Sequence, residues 1–360
     1  MKSETMLLWW WLNVLTFKRY QALKQVFGDL DAALTELSPA MLKELGLKQE
    51  SIEAAFVRLD EFDAPSYLGH MKRLGVELLS IEDEQYPVRL REIGDAPVFL
   101  SYRGDLSLLD QPMIGVVGTR AMSAYGKRIV EHFVPAFVRA GLVTVSGLAL
   151  GVDAVVAEET LHAGGKTIAV LGHGLANVYP SSNAKLAQKI LTSGGLILSE
   201  FPLELPPDKY TFPARNRIIA GLTEGTLICE APEASGSIIT AELALEYSRD
   251  VFIVPGIIFD ENFAGCHRLI SEGRGKLVTH PDQVLREIGV IAPTTEKRIE
   301  YTPTSPTEAA IFTALTTMPQ AMDELVEKTG LSSPVISSTL TMLELSSVAR
   351  NVGGGQWVRC

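Results

Sequence analysis

Between residues 113 and 278, short runs of almost wholly apolar residues alternate with longer segments of helical periodicity. Met113–Val117, Leu142–Ser146 and Thr167–Leu171 are examples of runs that have the length of a strand. Because these runs are apolar throughout rather than at every second position, we expect strands that are buried on both faces. Helices between such strands supply the cover, so the pattern predicts an α/β fold built on a parallel, doubly wound sheet.

Shorter segments of different character flank this region. Residues 1–65 contain short helical periods separated by cap-forming residues, which predicts a small helical domain. Residues 66–291 join a mixed connector to the predicted sheet, and residues 292–306 are rich in Pro and Thr, which is typical of a linker. Residues 307–360 predict three short helices and then two strands joined by Gly353-Gly-Gly355, the pattern of a winged helix.

The charge balance limits the kind of partner. The chain has 32 Lys and Arg residues against 43 Asp and Glu residues, which gives a net charge of −11. This balance excludes a globally basic nucleic-acid binder, so any nucleic acid has to bind at a local basic patch on an acidic body. A hydrophobic share of 46% excludes a disordered chain.

Cysteines and apolar segments bear on location and metal binding. Cys229, Cys266 and Cys360 lie far apart without C-x-x-C spacing, so we expect no metal site and no disulfide framework, and the sequence suggests no cofactor. The apolar run Met6–Leu15 is too short to span a bilayer and lacks a cleavage site. We interpret it as the first helix of a folded domain and expect a cytoplasmic protein that binds no membrane.

The end of the first predicted strand carries Gly118-Thr119-Arg120. Ligands of doubly wound sheets bind at the carboxyl ends of the strands, where a Gly lets them approach the backbone and the next helix offers free N–H groups. With the fixed charge of Arg120, the segment predicts an anion or phosphate site. The simpler alternative is a tight turn with an exposed Arg, and the spacing does not fit a dinucleotide fingerprint.

The segment from Lys209 to Arg217 inverts the charge of the chain. It contains three cations and two aromatic residues, Tyr210 and Phe212, but no acid. Cations neutralise phosphates and an aromatic ring stacks on an unpaired base, so we interpret the segment as a loop that binds a single strand. The alternative is that Phe212 belongs to the core and that the arginines form internal salt bridges.

Ser235-Gly236-Ser237 follows another predicted strand and opens a helix. Backbone N–H groups and hydroxyls at that position bind anions, although an ordinary Ser N-cap explains the residues equally well. Asp153, Glu200 and Glu230 also lie near strand ends, where they are candidate general bases or, more simply, helix caps and Arg partners. Because no catalytic motif accompanies them, we assign no catalytic residue.

Together these motifs resemble the DNA-processing protein A (DprA/Smf) family over residues 80–280. The motifs that carry the resemblance are Gly118-Thr-Arg120, Val145-Ser-Gly-Leu-Ala149, Thr167-Ile-Ala-Val-Leu-Gly172 with Val178-Tyr-Pro180 and Asn183, Ser199-Glu200, Phe212-Pro-Ala-Arg-Asn-Arg-Ile-Ile-Ala-Gly221, Ser235-Gly-Ser237 with Thr240-Ala241, and Val251-Phe-Ile-Val-Pro-Gly256. The resemblance implies a Rossmann-like DNA-binding core, an N-terminal domain similar to sterile-alpha-motif folds and a homodimer. It also implies a protein that binds and protects single-stranded DNA in natural transformation and helps to load RecA recombinase.

The family's DNA contacts, transferred motif by motif, fall on Arg120, Phe212, Arg215, Asn216 and Arg217. The full candidate interface adds residues that the strand ends and the charge pattern suggested, namely Gly118, Thr119, Lys209, Gly236 and Ser237.

This sequence departs from the family pattern at three places. Ala157 stands where the family usually has His, and His267 stands where it usually has Asn. Gly273-Arg274-Gly275 contains one residue more than the family's Gly-Ala.

The predicted winged helix is acidic. From Pro303 to Cys360 there are three basic and five acidic residues, and the predicted recognition helix, Ser332–Leu345, contains no Lys or Arg. Readers of duplex DNA place cations there, so we expect protein contacts or regulation rather than tight duplex binding.

Two other functions stay open at this point. A nucleotide-binding sensor or a nucleotide-processing enzyme of the same fold would also use Gly-rich strand ends, although the sequence shows no catalytic Glu within a Gly-rich acidic motif. A transcription regulator with a ligand-binding core would need a more basic winged helix.

Overall fold

The computed structural model of the chain describes residues 3–290, 301–346 and 348–359. The chain divides into two compact units, Met1–Pro293 and Thr294–Cys360, and each has an apolar core of its own. Most of the predicted linker, residues 292–300, lies outside the described residues. The division of the first unit into a helical domain and a sheet domain stays a prediction.

Helices open the first unit, and their bounds are α1 (Ser3–Leu12), α2 (Phe17–Phe27), α3 (Leu30–Thr35), α4 (Pro39–Glu44), α5 (Gln49–Glu61) and α6 (Ala64–Leu74). The side chains of Thr16, Asp29 and Ser38 accept backbone N–H groups at the starts of α2, α3 and α4, which is why these short helices begin there. The apolar run near the N-terminus forms α1, as its pattern predicted, and buries Trp9 and Trp10.

The central sheet has nine strands, with bounds β1 (Glu77–Ser80), β2 (Phe99–Gly104), β3 (Met113–Val117), β4 (Val143–Ser146), β5 (Thr167–Val170), β6 (Leu196–Ser199), β7 (Gly225–Ile228), β8 (Asp250–Ile253) and β9 (Lys276–Leu277). Their spatial order is β1-β2-β6-β5-β4-β3-β7-β8-β9. In this spatial order, every pair of neighbours from β6 through to β9 is parallel. The strands β3, β4, β5, β6 and β7 are buried along their whole length, so the predicted doubly wound parallel sheet is confirmed.

Helices cover both faces of this sheet, with bounds α7 (Val88–Arg91), α8 (Ala124–Arg139), α9 (Val152–His162), α10 (Ala184–Thr192), α11 (Thr211–Leu222), α12 (Gly236–Glu246), α13 (Ala264–Ser271) and α14 (Pro281–Glu287). Short 3-10 turns lie at Leu106–Asp110, Ser181–Asn183 and Glu261–Phe263.

The connector before residue 110 contributes more to the sheet than its sequence indicated. It supplies β1 and β2, which pair antiparallel with each other, and β2 pairs antiparallel with β6. The buried Ser101 hydroxyl of β2 donates to the carbonyl of Ser199 in β6 at 3.0 Å. The sheet is therefore parallel except for one antiparallel edge.

The strand order places a reversal beside β3. From β3 the chain winds outward through β4 and β5 to β6, and it then returns to place β7 on the other side of β3. Loops that leave β3 and β7 at their carboxyl ends therefore diverge, and a crevice opens between them.

The second unit is a winged helix, with bounds α15 (Pro306–Ala314), β10 (Gln320–Ala321), α16 (Met322–Thr329), α17 (Ser333–Leu345), β11 (Ala349–Gly353) and β12 (Gln356–Arg359). The three predicted helices and the hairpin are present, and β10 adds a third strand beside β12. Leu325, Leu340 and Trp357 contribute to its core.

Across the described parts of both units, no helix combines the length and the apolar character that a bilayer crossing requires.

Candidate nucleic-acid interface

A cavity of about 400 Å³ lies at the switch point between β3 and β7. Eight of the ten predicted interface residues line it, and only Lys209 and Arg217 do not. We name this cavity, which is bounded by the end of β3, one side of α11 and the start of α12, the switch-point crevice. The predicted residues, which are scattered over 120 positions of the sequence, are thus brought together by the strand order.

The loop between β3 and α8, residues 118–123, is held by backbone hydrogen bonds to Glu230 and Val152. The N–H of Thr119 donates to the carbonyl of Glu230 at 2.7 Å, and the Thr119 carbonyl accepts from Val152 at 3.2 Å. A Cβ at position 118 would lie 2.5 Å from Val152 Cγ2 and 2.9 Å from the Glu230 carbonyl oxygen. Gly118 is therefore required by the packing of the loop itself.

Arg120 and Phe212 meet at the mouth of the crevice. The guanidinium carbon of Arg120 lies 4.9 Å from the centroid of the Phe212 ring, a cation–π distance. Arg120 is exposed, and the structure pairs it with no carboxylate among the described residues. Its charge is consequently available to an anion that enters the crevice.

Tyr179 extends this aromatic surface and was not assigned to the site from the sequence. Its ring centroid lies 6.1 Å from that of Phe212, and 49% of the residue is exposed. The only signal in the sequence was its place after a strand, within the Val178-Tyr-Pro180 motif.

His173 fixes the loop that carries Tyr179. One ring nitrogen, Nε2, accepts the N–H of Tyr179 at 3.3 Å, and Nδ1 lies 2.9 Å from the carbonyl of Gly174, to which it donates in this tautomer. The residue is buried, and burial lowers the pKa of His173 below its ordinary value. The neutral ring is thus the form that fits this loop.

Lys209 and Tyr210 lie just outside the crevice. The Lys209 ammonium is 4.9 Å from the Tyr210 ring centroid, and 73% of Tyr210 is exposed. Lys209 is the member of the predicted cationic segment that keeps its charge in solvent.

The segment that follows is a helix and not the predicted loop. Helix α11 begins at Thr211, so most of the Lys209–Arg217 segment is helical. Pro213 is compatible with this helix because it lies in the first turn, where its missing N–H has no acceptor to lose. The helix aims residues 215 and 216 inward, and both are buried.

The side chain of Arg215 is held in place by hydrogen bonds inside the protein. Its Nη1 donates to the Val170 carbonyl, its Nε donates to Asn216 Oδ1 at 3.1 Å, and the carboxylate of Asp153 faces it. Burial lowers the pKa of Arg215 and raises the pKa of Asp153, and each charge opposes the shift of the other. A Cβ at Gly147 would lie 1.9 Å from Nη1, so this glycine makes room for the guanidinium.

Arg217 is also engaged internally. Its Nη1 and Nη2 donate to both oxygens of Glu200, at 2.7 and 2.6 Å, and its Nε donates to the Asp95 carbonyl at 2.9 Å. The Arg217 and Glu200 side chains are 15% and 16% exposed. Of the three predicted cations, two therefore have internal partners, and their contact with DNA stays a prediction.

Asn216 joins α11 to the start of α12. Its Nδ2 donates to the carbonyl of Gly236 at 3.1 Å, and Ser235 caps the helix by accepting the N–H of Ser237 at 3.3 Å. A Cβ added to Gly236 meets no atom within 4 Å. The α12 N-terminus is thus positioned by Asn216 and is open toward the crevice.

The acids near the strand ends have structural partners. Glu230 accepts the N–H and the hydroxyl of Ser123 at the start of α8, and burial raises the pKa of Glu230. Asp153 accepts the N–H of Gly147 at 3.1 Å. Glu230 thus binds the start of α8, Asp153 binds the loop after β4, and Glu200 is the ion-pair partner of Arg217.

None of the three departures from the family pattern is among the residues that line the switch-point crevice. Ala157 is buried in α9, and His267 Nε2 lies 3.1 Å from the Gly256 carbonyl oxygen. Arg274 pairs with Glu242 at 3.4 Å, next to Gly273, which has a left-handed φ of 67°.

Two protein families match this chain. Residues 77–289 match DNA recombination-mediator protein A, and residues 296–355 match the DprA winged helix domain. The DNA processing protein DprA of Streptococcus pneumoniae is 50% identical over 208 residues, which cover 58% of this chain and 73% of that protein.

Two solved structures share the fold. The X-ray structure of DprA from Streptococcus pneumoniae aligns with a TM-score of 0.66 and 38% identity, over 80% of this chain and 98% of that one. DNA processing protein A from Helicobacter pylori aligns with a TM-score of 0.54 and 31% identity, over 59% of this chain and 95% of that one. The latter structure was described for its single-stranded DNA binding mode.

Proposed function

The chain belongs to the DNA recombination-mediator protein A family, and we propose that it binds single-stranded DNA at the switch-point crevice regardless of base sequence. The observation that carries the proposal is the exposed Arg120 over the ring of Phe212, at 4.9 Å. A phosphate neutralises the cation while an unpaired base stacks on the ring.

The surroundings of this pair support a strand rather than a single nucleotide. Tyr179 continues the aromatic surface beside Phe212, and the exposed Lys209 and Tyr210 directly precede α11, which carries Phe212. At the open N-terminus of α12, the N–H of Gly236 and the positive end of the helix dipole favour a further phosphate, while the N–H of Ser237 is taken by the Ser235 cap. Several separate phosphate and base contacts along one surface are what a polynucleotide needs.

Arg215, Asn216 and Arg217 support the interface from below. We propose that Arg215 and Arg217 hold α11 in the orientation that exposes Phe212, and that Asn216 holds the α12 N-terminus in place. Their contribution to binding then passes through the backbone that they position.

Fluorescence anisotropy with a labelled oligothymidylate tests this proposal on the full chain. Arg120→Ala and Phe212→Ala should each weaken binding, and Lys72→Ala, an exposed charge on α6, is the matched control. If both variants bind as tightly as wild type, the site is elsewhere. If ATP or NAD displaces the labelled strand as effectively as unlabelled oligothymidylate does, the nucleotide-sensor or nucleotide-enzyme alternative is favoured instead.

We further propose a non-enzymatic mediator that protects incoming single strands and assists RecA loading in the cytoplasm during natural transformation. The family membership supports this role. Nuclease challenge of a bound strand, and RecA-dependent strand exchange on strands coated with single-strand binding protein, test the two parts separately. If the strand is cut as fast with the protein as without it, protection is refuted.

We propose that the chain acts as a homodimer. Ile258 and Phe259, in the loop after β8, are 76% and 89% exposed, and such apolar surface favours a protein contact. Sedimentation equilibrium measures the mass, and a monomer at micromolar concentration would refute the homodimer.

A further inference from the structure

A second basic cleft lies in the N-terminal helices, where the turn between α1 and α2 faces the start of α5. Arg19, Lys48 and Arg58 supply its polar walls, and no Asp or Glu is among the described residues that line it. We name this cavity, of about 410 Å³, the N-terminal cleft.

The hydrogen bonds of Arg19 leave its charge uncompensated. Its guanidinium donates to the carbonyls of Val14 at 2.9 Å, Leu45 at 3.1 Å and Gly46 at 3.5 Å, and to no carboxylate. Leu45 and Gly46 directly follow α4 and Val14 follows α1 by two residues, so the guanidinium lies near two helix C-termini, where cations are favoured. Partial burial lowers the pKa of Arg19, with no carboxylate to raise it. The guanidinium is therefore fixed in place while the positive charge persists.

Helix α5 forms the opposite wall. Ser51, Ala54, Ala55 and Arg58 share one face of the helix and line the cleft, so small side chains leave space beneath the cations. Arg58 Nη1 donates to the Leu12 carbonyl at 3.1 Å, again a neutral acceptor.

The exposed Lys48 at the start of α5 completes the set of cations. We propose that the N-terminal cleft binds a phosphate group of the same DNA strand that occupies the switch-point crevice. Three cations without an acid favour a phosphodiester over neutral ligands, and the exposed Ser51 hydroxyl offers a neutral donor.

The helices that form the cleft are attached to the segment that carries the crevice residues. Trp10 Nε1 donates to the carbonyl of Glu200 at 3.0 Å, and the hydroxyl of Tyr67 accepts the N–H of Leu203 at 3.0 Å. Both acceptor and donor lie between β6 and α11, a few residues before Lys209 and Phe212. Cleft and crevice thus belong to one body, and this inference rests on the proposed function of the crevice.

Oligothymidylates of about 6 and about 30 nucleotides, titrated against the full chain at several salt concentrations, test the inference. With the long strand, Lys48→Gln should lower the slope of log K against log salt by about 0.7 and the affinity at 0.1 M salt by about 5-fold, the effect of one phosphate contact. With the short strand it should change neither. Lys43→Gln, on exposed α4 surface outside the cleft, is the matched control and should leave both strands unaffected.

Arg58→Gln is a second variant and should act on the long strand as Lys48→Gln does. Equal slopes for Lys48→Gln and Lys43→Gln would overturn the inference, and so would an equal loss with both strand lengths. A titration with inorganic phosphate, followed by tryptophan fluorescence, tests whether the cleft binds a free anion instead of DNA. If Lys48→Gln abolishes phosphate binding but leaves the affinity for the long strand unchanged, the DNA assignment is overturned. If the wild-type protein does not bind the short strand at all, the proposed function of the crevice is refuted instead.

Discussion

The guanidinium of Arg120 lies over the ring of Phe212, with 4.9 Å between the guanidinium carbon and the ring centroid. Arg120 lies within the loop between β3 and α8, and Phe212 lies in the first turn of α11. The pair therefore joins two segments on opposite sides of the crevice mouth. A stacked base and its phosphate would meet both side chains, so their contributions to binding are expected to depend on each other.

A double-mutant cycle measures this dependence. Phe212→Leu should reduce the free energy of single-strand binding by about 1–3 kcal/mol, the range for one base stacked on an aromatic side chain. Arg120→Gln should lower the salt slope by about 0.7. The combined loss in the double variant should be smaller than the sum of the single losses, because the residues are in contact.

Phe312→Leu is the matched control for the cycle, since it removes a ring that lies 5.3 Å from the Arg359 guanidinium in the winged helix. Strictly additive losses, measured by anisotropy, would show that the two residues do not act on one nucleotide.

The Arg217–Glu200 pair should matter for stability more than for DNA binding. Arg217→Met leaves the poorly exposed Glu200 carboxylate without its bidentate partner, which should lower the free energy of unfolding by about 3 kcal/mol. Lys276→Met breaks exposed pairs with Asp250 and Glu287, and it should lower the free energy of unfolding by less than about 1 kcal/mol. Urea unfolding measures both, and a salt slope reduced by Arg217→Met without loss of stability would instead identify a phosphate contact.

Sequence patterns predicted the parallel strands because a run that is buried on both faces is apolar at every position. They also placed Gly118, Arg120 and Gly236 at one edge, because parallel strands end on the same side. The position of each arginine could not be predicted in the same way. The partners of Arg217, Glu200 and Asp95, come from other parts of the chain, and a local excess of cations does not reveal them.

The start of α11 and the antiparallel edge were missed for local reasons. Pro213 is a strong helix breaker in general, and only its place in the first turn makes it compatible with α11. Strand β1 has four residues, and such a short run shows too few alternations to be separated from a turn.

His173 should make stability fall at acidic pH. Because burial lowers the pKa of His173 in the folded protein, the unfolded state binds the proton first as the pH falls below about 6.5. Unfolding then becomes more favourable until the folded pKa is reached, with a slope of up to about 1.4 kcal/mol per pH unit. Urea unfolding of the wild-type protein at pH 7, 6 and 5 should therefore show a free energy of unfolding that falls as the pH is lowered, and part of this fall comes from His173.

His173→Gln should remove that part of the slope, because its side-chain oxygen accepts the Tyr179 N–H without titrating. His162→Gln, at an exposed position at the end of α9, should keep it. An unchanged slope in His173→Gln would assign the acid sensitivity to another group.

The winged helix should bind duplex DNA weakly. Helix α17 carries no Lys or Arg, and its Met342 and Leu345 are 60% and 77% exposed, which favours a protein partner. The fragment Thr294–Cys360 has its own core, and its dissociation constant for duplex should exceed about 10⁻⁵ M at physiological salt. Gel shifts measure this, and tight duplex binding by the fragment would contradict it.

A substitution at Gly236 should affect DNA binding without affecting the stability of the fold. A Cβ at this position meets no atom within 4 Å, so Gly236→Ala should leave the urea midpoint unchanged or raise it slightly. If a phosphate approaches the α12 N-terminus closely, the added methyl group should still weaken single-strand binding. Gly118→Ala is the contrasting variant, because its Cβ would lie 2.5 Å from Val152 Cγ2 and should lower stability by about 1–3 kcal/mol. Anisotropy and urea unfolding on the same samples measure both effects, and unchanged affinity in Gly236→Ala would show that the strand passes the crevice without touching α12.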